Sequence, residues 1–504
     1  MALHDNRPVA ARRVRQVAAV CLLFASCAAG LSPAFGGEVT LDRKSNIVIT
    51  TAGPAEKELE LAADLLRRYL LLALDRKELA GPGAKVTFAL EALAVSWETL
   101  PKSAMTTLRD IGAFEIEVKA APAQQIRILG ATALAASFGV MEFLDSGLGV
   151  AWLFPGDLGL ALPERRSFAI AEGKVRRAPA IASRIFSGMK YQQPELMLPF
   201  RQKYAKSPLL ANRNFFSAWD YFKSLRLDAP ISVHHNMIHI FPVAECKRDC
   251  PEIFPIKDGK PHIPPEDKNA KGHANWHPCY SNAKTLEVAV AKARQAFASG
   301  ALVFSLGIND GLRVQCECAE CRKAGWPESY YRFVSRVADA VKDQYPPRMI
   351  GVLVYGDVRH PRQPLRLPEN VYCNVTTGSK ISEWSKRASH LGSYGYFYGS
   401  GFLVPNFPLK AMVWNAGQYA RHGVLGFYAE TYPVWAFDAP KVYIQSRLFW
   451  DPKMDVEAAL DRFCAAAYGP GGPAMARFYR LWASQADRLV DPGGDDPAPL
   501  CNMS

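Results

Sequence analysis

From about residue 180 to residue 485, short apolar runs alternate with longer amphipathic helical segments. We interpret the apolar runs as strands, at residues 181–187, 231–240, 302–307, 349–355, 371–375, 394–398 and 424–428. Helical periodicity predicts helices between or after them, at residues 286–297, 330–344, 409–421, 441–449 and 456–468. Strands separated by helices imply a parallel sheet with helical crossovers. About six or seven strands in about 290 residues favour an α/β fold of the (β/α)8 TIM-type barrel over a small doubly wound sheet.

A small α+β domain is predicted before the barrel, at residues 37–175. Its strands are predicted at 46–50, 85–90, 114–118 and 125–129, and its helices at 56–74 and 132–144. The two helices would cover one face of a small sheet. Arg176-Arg177-Ala178-Pro179 is predicted to link this domain to a barrel at residues 180–485.

The first 36 residues resemble an export signal. Four arginines (Arg7, Arg12, Arg13 and Arg15) precede the apolar stretch 17–31, and Ala34-Phe35-Gly36 offers small residues for cleavage. We therefore predict a signal peptide at 1–36 and a secreted or periplasmic protein. A lipoprotein signal ending at Cys27 is the alternative. No later apolar run is long enough for an integral membrane segment.

Composition excludes several classes of protein. Hydrophobic residues make up 49% and charged residues 21%, as in ordinary globular domains. The net charge of +12 is not gathered into a basic stripe with interleaved aromatics, so no nucleic-acid partner is predicted. Neither a Gly-x-Gly-x-x-Gly after an early strand nor a P-loop is present, so no nucleotide cofactor is expected. The sequence leaves the oligomeric state open.

Six motifs occur in an order typical of one family. They are Ile128-Leu129-Gly130-Ala131-Thr132, Gly149-Val150-Ala151-Trp152-Leu153-Phe154-Pro155-Gly156, Gly307-Ile308-Asn309-Asp310-Gly311, Cys316-x-Cys318-x-x-Cys321, Tyr428-Ala429-Glu430 and Leu448-Phe449-Trp450-Asp451-Pro452. Together they resemble the bacterial family called domain of unknown function 4838. The first domain also resembles the N-terminal domain of family 67 α-glucuronidases and the second domain of β-hexosaminidases. The resemblance implies a secreted carbohydrate-active enzyme with a catalytic barrel and a carbohydrate substrate, without naming the sugar.

Two carboxylates are the strongest catalytic candidates. Asp310 and Glu430 each follow a predicted strand, and active sites of such barrels lie at the carboxyl ends of the strands. Glycoside hydrolysis requires two carboxyl groups flanking the bond. We expect Glu430 to be the general acid, because Tyr428, Tyr432 and Trp435 would shield it from water, and we expect Asp310 to stay ionised in a more polar turn. The alternatives are a turn-capping Asp310 and a structural salt bridge at Glu430.

Other residues are candidates for substrate binding. Arg184 or Arg213 would hold a sugar carboxylate, as in a uronic acid, although a structural ion pair is the more ordinary role. His235 and His239 would share one face of a strand, or be hydrogen-bonded core residues. Aromatic residues crowd the late strand ends and would stack on sugar faces. The remaining substrate-binding candidates are Asn309, Tyr355, Asp357, Tyr428 and Trp435.

The cysteines allow two interpretations. Cys279, Cys316, Cys318 and Cys321 would form either two disulfides, which an oxidising compartment favours, or a structural zinc site. No other metal is predicted, and the spacing indicates no catalytic thiol. Two further functions stay open: a carbohydrate-binding barrel without chemistry, and a metal-dependent hydrolase using the histidines and cysteines. A zincin is excluded, since residue 236 is Asn rather than Glu.

Overall fold

The computed structural model describes residues 37–54, 56–93, 108–187, 220–310, 314–362, 364–376, 380–398 and 406–488. The expected signal peptide and Arg213 lie outside these residues. The described residues divide into a first unit (37–180, 220–227 and 435–479) and a second unit (181–187, 228–434 and 480–488). No helix in the described ranges has the length and apolarity needed to cross a bilayer.

The first unit contains a five-stranded sheet in the order β2-β3-β5-β4-β9. Its strands are β2 (Asn46–Ala52), β3 (Lys85–Ala92), β4 (Phe114–Lys119), β5 (Gln124–Gly130) and β9 (Gly173–Arg177). Strands β2, β3 and β5 run parallel, and β4 runs antiparallel to β5 and β9. Helices α1 (Glu56–Leu74) and α3 (Ala133–Glu142) contribute buried apolar residues to its core, as the periodicity predicts. The Thr132 hydroxyl caps α3 by accepting from Ala135 N at 3.0 Å.

Smaller elements complete this part of the chain. They are β1 (Glu38–Leu41), which pairs with β8 (Phe168–Ala171), the ribbon of β6 (Ala151–Trp152) and β7 (Leu160–Ala161), and the short helix α2 (Leu108–Ile111). A π-helical turn, Phe143–Leu148, extends α3.

Late helices pack within the first unit, although the sequence pattern alone groups them with the barrel. They are α11 (Trp435–Leu448), α12 (Val456–Tyr468) and the start of α13 (Gly472–Arg488). Trp450 explains this placement, because its ring lies 5.5 Å from Phe114 and 5.6 Å from Phe138. Arg447 also pairs with Asp145, which follows α3, at 2.7 Å.

The second unit is built on six parallel strands in the order β10-β17-β16-β15-β14-β13, which confirms the predicted parallel sheet. Their bounds are β10 (Ser183–Ser187), β13 (Val303–Ser305), β14 (Met349–Val354), β15 (Val371–Thr376), β16 (His390–Tyr396) and β17 (Gly426–Glu430). The helices around them are α4 (Met237–Ile240), α5 (Val243–Asp249), α6 (Ala283–Ala298), α7 (Ala319–Ala324), α8 (Trp326–Val341), α9 (Ile381–Trp384) and α10 (Leu409–Arg421). A small ribbon pairs β11 (Ile256–Lys257) with β12 (Lys260–Pro261). The architecture is a curled, TIM-like half-barrel, in which the described residues supply six of the eight strands expected.

The predicted strand at 231–240 is wrong. Residues 228–236 instead connect the two edge strands through isolated bridges, Asp228 with Arg184 and His235 with Gly307. His239 lies on α4, so it does not share a strand face with His235. Side-chain hydrogen bonds replace a regular ladder here: the Ser305 hydroxyl donates to His234 O at 2.6 Å, and the Asn236 amide donates to Ser305 O at 2.9 Å.

The interior of the half-barrel is filled below the strand ends. Gly392 and Gly426 are paired in register on β16 and β17, beside the buried Tyr372 of β15. A Cβ on Gly392 would lie 1.7 Å from the Tyr372 hydroxyl, and one on Gly426 would lie 2.2 Å from it. Glycine is therefore required at both positions. A void of about 10 Å³ borders Tyr372 and Gly426, which is too small for a ligand.

Candidate functional site

The two predicted catalytic carboxylates lie at the carboxyl ends of the parallel strands. Glu430 is the last residue of β17, and Asp310 follows β13. The Tyr394 hydroxyl donates to Glu430 Oε1 at 2.7 Å, and the Tyr355 hydroxyl donates to Asp310 Oδ1 at 2.9 Å. Each carboxylate is thus held by a tyrosine from a neighbouring region of the sheet.

Tyr396 lies beside Glu430 at the end of β16. It pairs in register with Glu430, and its pKa is raised to about 12, first by burial and then by negative charge that includes Glu430 and Asp310. Asp310 and Glu430 therefore lie at the same edge of one parallel sheet. Asp310 is exposed and Glu430 is half-buried.

Glu430 has a simple set of partners. Within the described part of the chain it forms no ion pair, and its carboxylate accepts from Tyr394. The salt-bridge alternative raised by the sequence therefore has no support among these residues. Burial raises the pKa of Tyr394 well above that of an ordinary phenol, so this hydroxyl remains a hydrogen-bond donor at neutral pH.

Five tyrosines form a continuous wall beside Glu430. Tyr394 stacks on Tyr428 with ring centroids 4.5 Å apart, and further ring contacts of 5.5–6.1 Å continue through Tyr396 and Tyr398 to Tyr432. Tyr432 is 44% exposed, which leaves ring surface for a ligand. Tyr394 was not among the sequence candidates. The sequence feature that could have identified it is the alternation of Tyr394, Tyr396 and Tyr398, because alternate residues of a strand lie on one face.

Asn309 positions the residue that follows it. Its side chain is buried, with Oδ1 accepting from Ile238 N at 3.0 Å and Nδ2 donating to Trp276 O at 2.8 Å. Predicted to bind substrate, this amide instead joins two backbone segments. Asp310 is consequently presented from a fixed point at the end of the barrel.

His235 contacts the segment that leads to Asp310. The His235 ring packs edge-on against Tyr355 at 5.4 Å, and its Nδ1 contacts Ile308 O. Burial lowers the pKa of His234, and the nearby charges of His239 and His235 lower it further. Among the described residues, these imidazoles do not converge with a carboxylate in a group that could hold a metal. A histidine-based metallohydrolase therefore has no support there.

Arg184 lies at the opposite end of the sheet from Glu430. Its Nη1 donates to the carbonyls of Ile181 and Ala182, at 2.7 and 2.8 Å, before β10 begins. Ser187, three residues later, is the residue paired with Glu430. The prediction that Arg184 holds a sugar carboxylate at the carboxyl ends of the strands is therefore wrong. Its buried head group faces the amino ends.

The other candidates lie in three different places. Trp435 begins α11 in the first unit, where its ring packs 5.3 Å from Tyr221. Asp357 is exposed in the turn Gly356–Val358 after β14. Cys279, Cys316, Cys318 and Cys321 lie together, with all four sulfurs within 4.8 Å of one another. Of the described residues, this group alone has an arrangement that could hold a metal.

Comparisons with known proteins agree with this fold. A model of the family described as "Domain of unknown function (DUF4838)" matches residues 154–480. No curated protein matches the chain. Among solved structures, a family GH115 4-O-methyl-α-glucuronidase with specificity for decorated arabinogalactans is similar in fold, with 14% identity and a TM-score of 0.51. The similarity covers 89% of this chain and 62% of that enzyme, so this chain spans less than two thirds of its length.

Two further solved structures are more distant. A chitobiase (FjGH20) from Flavobacterium johnsoniae has 12% identity and a TM-score of 0.43, over 90% of this chain and 72% of its own. A family 89 glycoside hydrolase from Clostridium perfringens has 9% identity and a TM-score of 0.45, over 86% of this chain and 53% of its own.

Proposed function

We propose that this chain, which belongs to the family described as domain of unknown function DUF4838, is a glycoside hydrolase acting through Asp310 and Glu430. One observation carries the proposal. Two carboxylates lie at the carboxyl ends of strands of one parallel sheet, and each accepts a hydrogen bond from its own tyrosine. Paired carboxyl groups of this kind are what glycosidic bond cleavage requires. We also propose that the six described parallel strands belong to a complete (β/α)8 barrel.

Different surroundings favour different roles for the two carboxyl groups. Glu430 is half-buried beside the stacked rings of Tyr394 and Tyr428, which suits a general acid that donates its proton to the departing sugar oxygen. Asp310 is exposed, which suits an ionised partner on the other side of the bond. Asp310 would either attack the anomeric carbon or take a proton from the attacking water. In both cases water supplies the atoms that complete the two products.

The proposed substrate is a glycan, and the narrower proposal is one containing uronic acid. The similarity to a 4-O-methyl-α-glucuronidase is a similarity of fold, so it gives this narrower choice only general support. Since Arg184 faces the amino end, His235 and His239 are the described sequence candidates that remain to donate a hydrogen bond to a uronate. The tyrosine wall would stack against apolar sugar faces. We further propose that residues 1–36 direct export of the protein to a compartment in which such glycans occur.

A panel of aryl glycosides and aryl uronides tests the proposal, comparing wild type with Glu430→Gln and Asp310→Asn. Loss of the acid should slow poor leaving groups by about 10²–10⁴-fold while sparing good ones, which need little protonation. Asp310→Asn should slow both kinds. Glu369→Gln is the matched control, because this exposed carboxylate lies before β15, at the amino end.

Two outcomes would contradict the proposal. Undiminished turnover in both variants would place the site elsewhere. Binding of a glycan by the wild type without turnover of any linkage would instead favour a carbohydrate-binding barrel.

A further inference from the structure

We infer that Cys279, Cys316, Cys318 and Cys321 bind one structural zinc ion. The Sγ of Cys279 lies 3.7 Å from that of Cys318 and 3.9 Å from that of Cys321. Tetrahedral zinc with Zn–S bonds of about 2.3 Å requires neighbouring sulfurs about 3.8 Å apart. A disulfide requires about 2.05 Å, so these two separations match edges of a metal tetrahedron and not S–S bonds.

The relative positions of the sulfurs also argue against two specific disulfides. Cys279 is almost equally distant from Cys318 and Cys321, so the geometry selects neither as a covalent partner. All four sulfurs lie within 4.8 Å of one another, which two independent bridges do not require. None of the described cysteines forms a disulfide.

Hydrogen bonds to the sulfurs resemble the outer shell of a thiolate site. The Cys318 sulfur accepts from Cys321 N at 3.5 Å, and the Cys316 sulfur accepts from Ile256 N at 3.3 Å. Ser281 Oγ lies 3.2 Å from the sulfurs of both Cys279 and Cys318. Such contacts orient metal ligands and favour the deprotonated sulfur that binds zinc. With four protein ligands the site is closed, so its role is structural.

The cluster is connected to the loop that carries Asp310. Trp276 O accepts from the Asn309 amide at 2.8 Å, and Val314 N donates to Asn275 O at 2.9 Å. Cys279 lies three residues after Trp276, and Cys316 lies two residues after Val314. A metal that joins Cys279 to Cys316 would therefore fix both segments that flank this loop.

Metal analysis of the full-length protein, purified without chelator and without added reductant, tests the inference. We expect about one zinc per chain in the wild type and at least a tenfold loss in Cys318→Ser and Cys321→Ser, because a closed site needs all four ligands. Cys464→Ser makes the same change at a buried cysteine outside the cluster and should retain about one zinc. Zinc retained in both cluster variants would overturn the inference.

A wild-type measurement covers the case in which the variants do not fold. Cobalt(II) substitution should give the absorption of a tetrahedral thiolate site, and denaturation with chelator should expose four alkylatable thiols from the cluster. A protein without zinc whose intact mass is lower by four hydrogens would instead contain two disulfides, and the inference would be wrong. These measurements do not depend on glycosidase activity, so they stand apart from the function proposed above.

Discussion

Removing the Tyr394 hydroxyl tests whether its hydrogen bond to Glu430 contributes to activity. Tyr394→Phe keeps the ring that stacks on Tyr428 at 4.5 Å and deletes a 2.7 Å donor to Glu430 Oε1. In the proposed role Glu430 becomes a carboxylate as it gives up its proton in the transition state, and hydrogen bonds to charged groups contribute about 1.5–3 kcal/mol. At about 1.4 kcal/mol per factor of ten, the variant should lose about 10- to 150-fold in kcat/KM. Glu430 is half-buried rather than sealed from water, so the lower part of this range is expected.

The assay compares kcat/KM on the best aryl glycoside with that of a matched control, Tyr428→Phe. Tyr428 carries the partner ring, but within the described structure its hydroxyl forms no hydrogen bond to Glu430. The control should therefore change kcat/KM by no more than about twofold, equivalent to about 0.5 kcal/mol. Equal losses in both variants would mean that ring packing, not the hydrogen bond, matters. No loss in Tyr394→Phe would remove Tyr394 from the site.

Two further predictions concern stability. Gly426→Ala should lower the free energy of unfolding by about 1–3 kcal/mol through overlap with Tyr372, and adding Tyr372→Phe should restore much of it, since the nearest remaining ring atom lies at 3.3 Å. Tyr372→Phe should not rescue Gly392→Ala, because a Cβ at residue 392 would lie 2.6 Å from the ring carbon that bears the Tyr372 hydroxyl. Urea unfolding in which Tyr372→Phe restores the free energy of unfolding equally in both glycine variants would contradict this packing. Burial lowers the pKa of His390 below its usual 6.5, so the folded state resists protonation, and the free energy of unfolding should fall as pH drops below 6.5. His390→Gln should flatten this dependence in urea titrations between pH 5 and pH 8, and an unchanged slope would show that other groups cause it.

Long periodic elements were predictable from the sequence. The helices Glu56–Leu74, Leu409–Arg421 and Val456–Tyr468 have the predicted bounds, because each repeats buried apolar residues at helical spacing. The strand predicted at residues 231–240 does not form, and the reason is physical. Their backbone bonds to side chains and to isolated residues of both edge strands, so a locally strand-like pattern does not produce a strand.

The candidate site was predictable in position and less so in detail. Residues that end strands pointed to Asp310 and Glu430, since parallel strands present their carboxyl ends together. Arg184 was misplaced because its long side chain reaches back to carbonyls before its own strand, a direction the sequence does not encode. Tyr394 was missed because a strand tyrosine resembles an ordinary core residue until its hydroxyl is seen to contact Glu430.

The filled interior of the half-barrel has a kinetic consequence. Tyr372 and Gly426 border a void of about 10 Å³, which is too small for a ligand to pass deeper at this point. If the proposed function holds, we therefore expect a sugar bound at Glu430 to leave through the opening by which it arrived. The released sugar and the next glycan then compete for the same mouth, so we expect competitive product inhibition, with an inhibition constant that rises when Tyr432 at the opening is replaced by Ala.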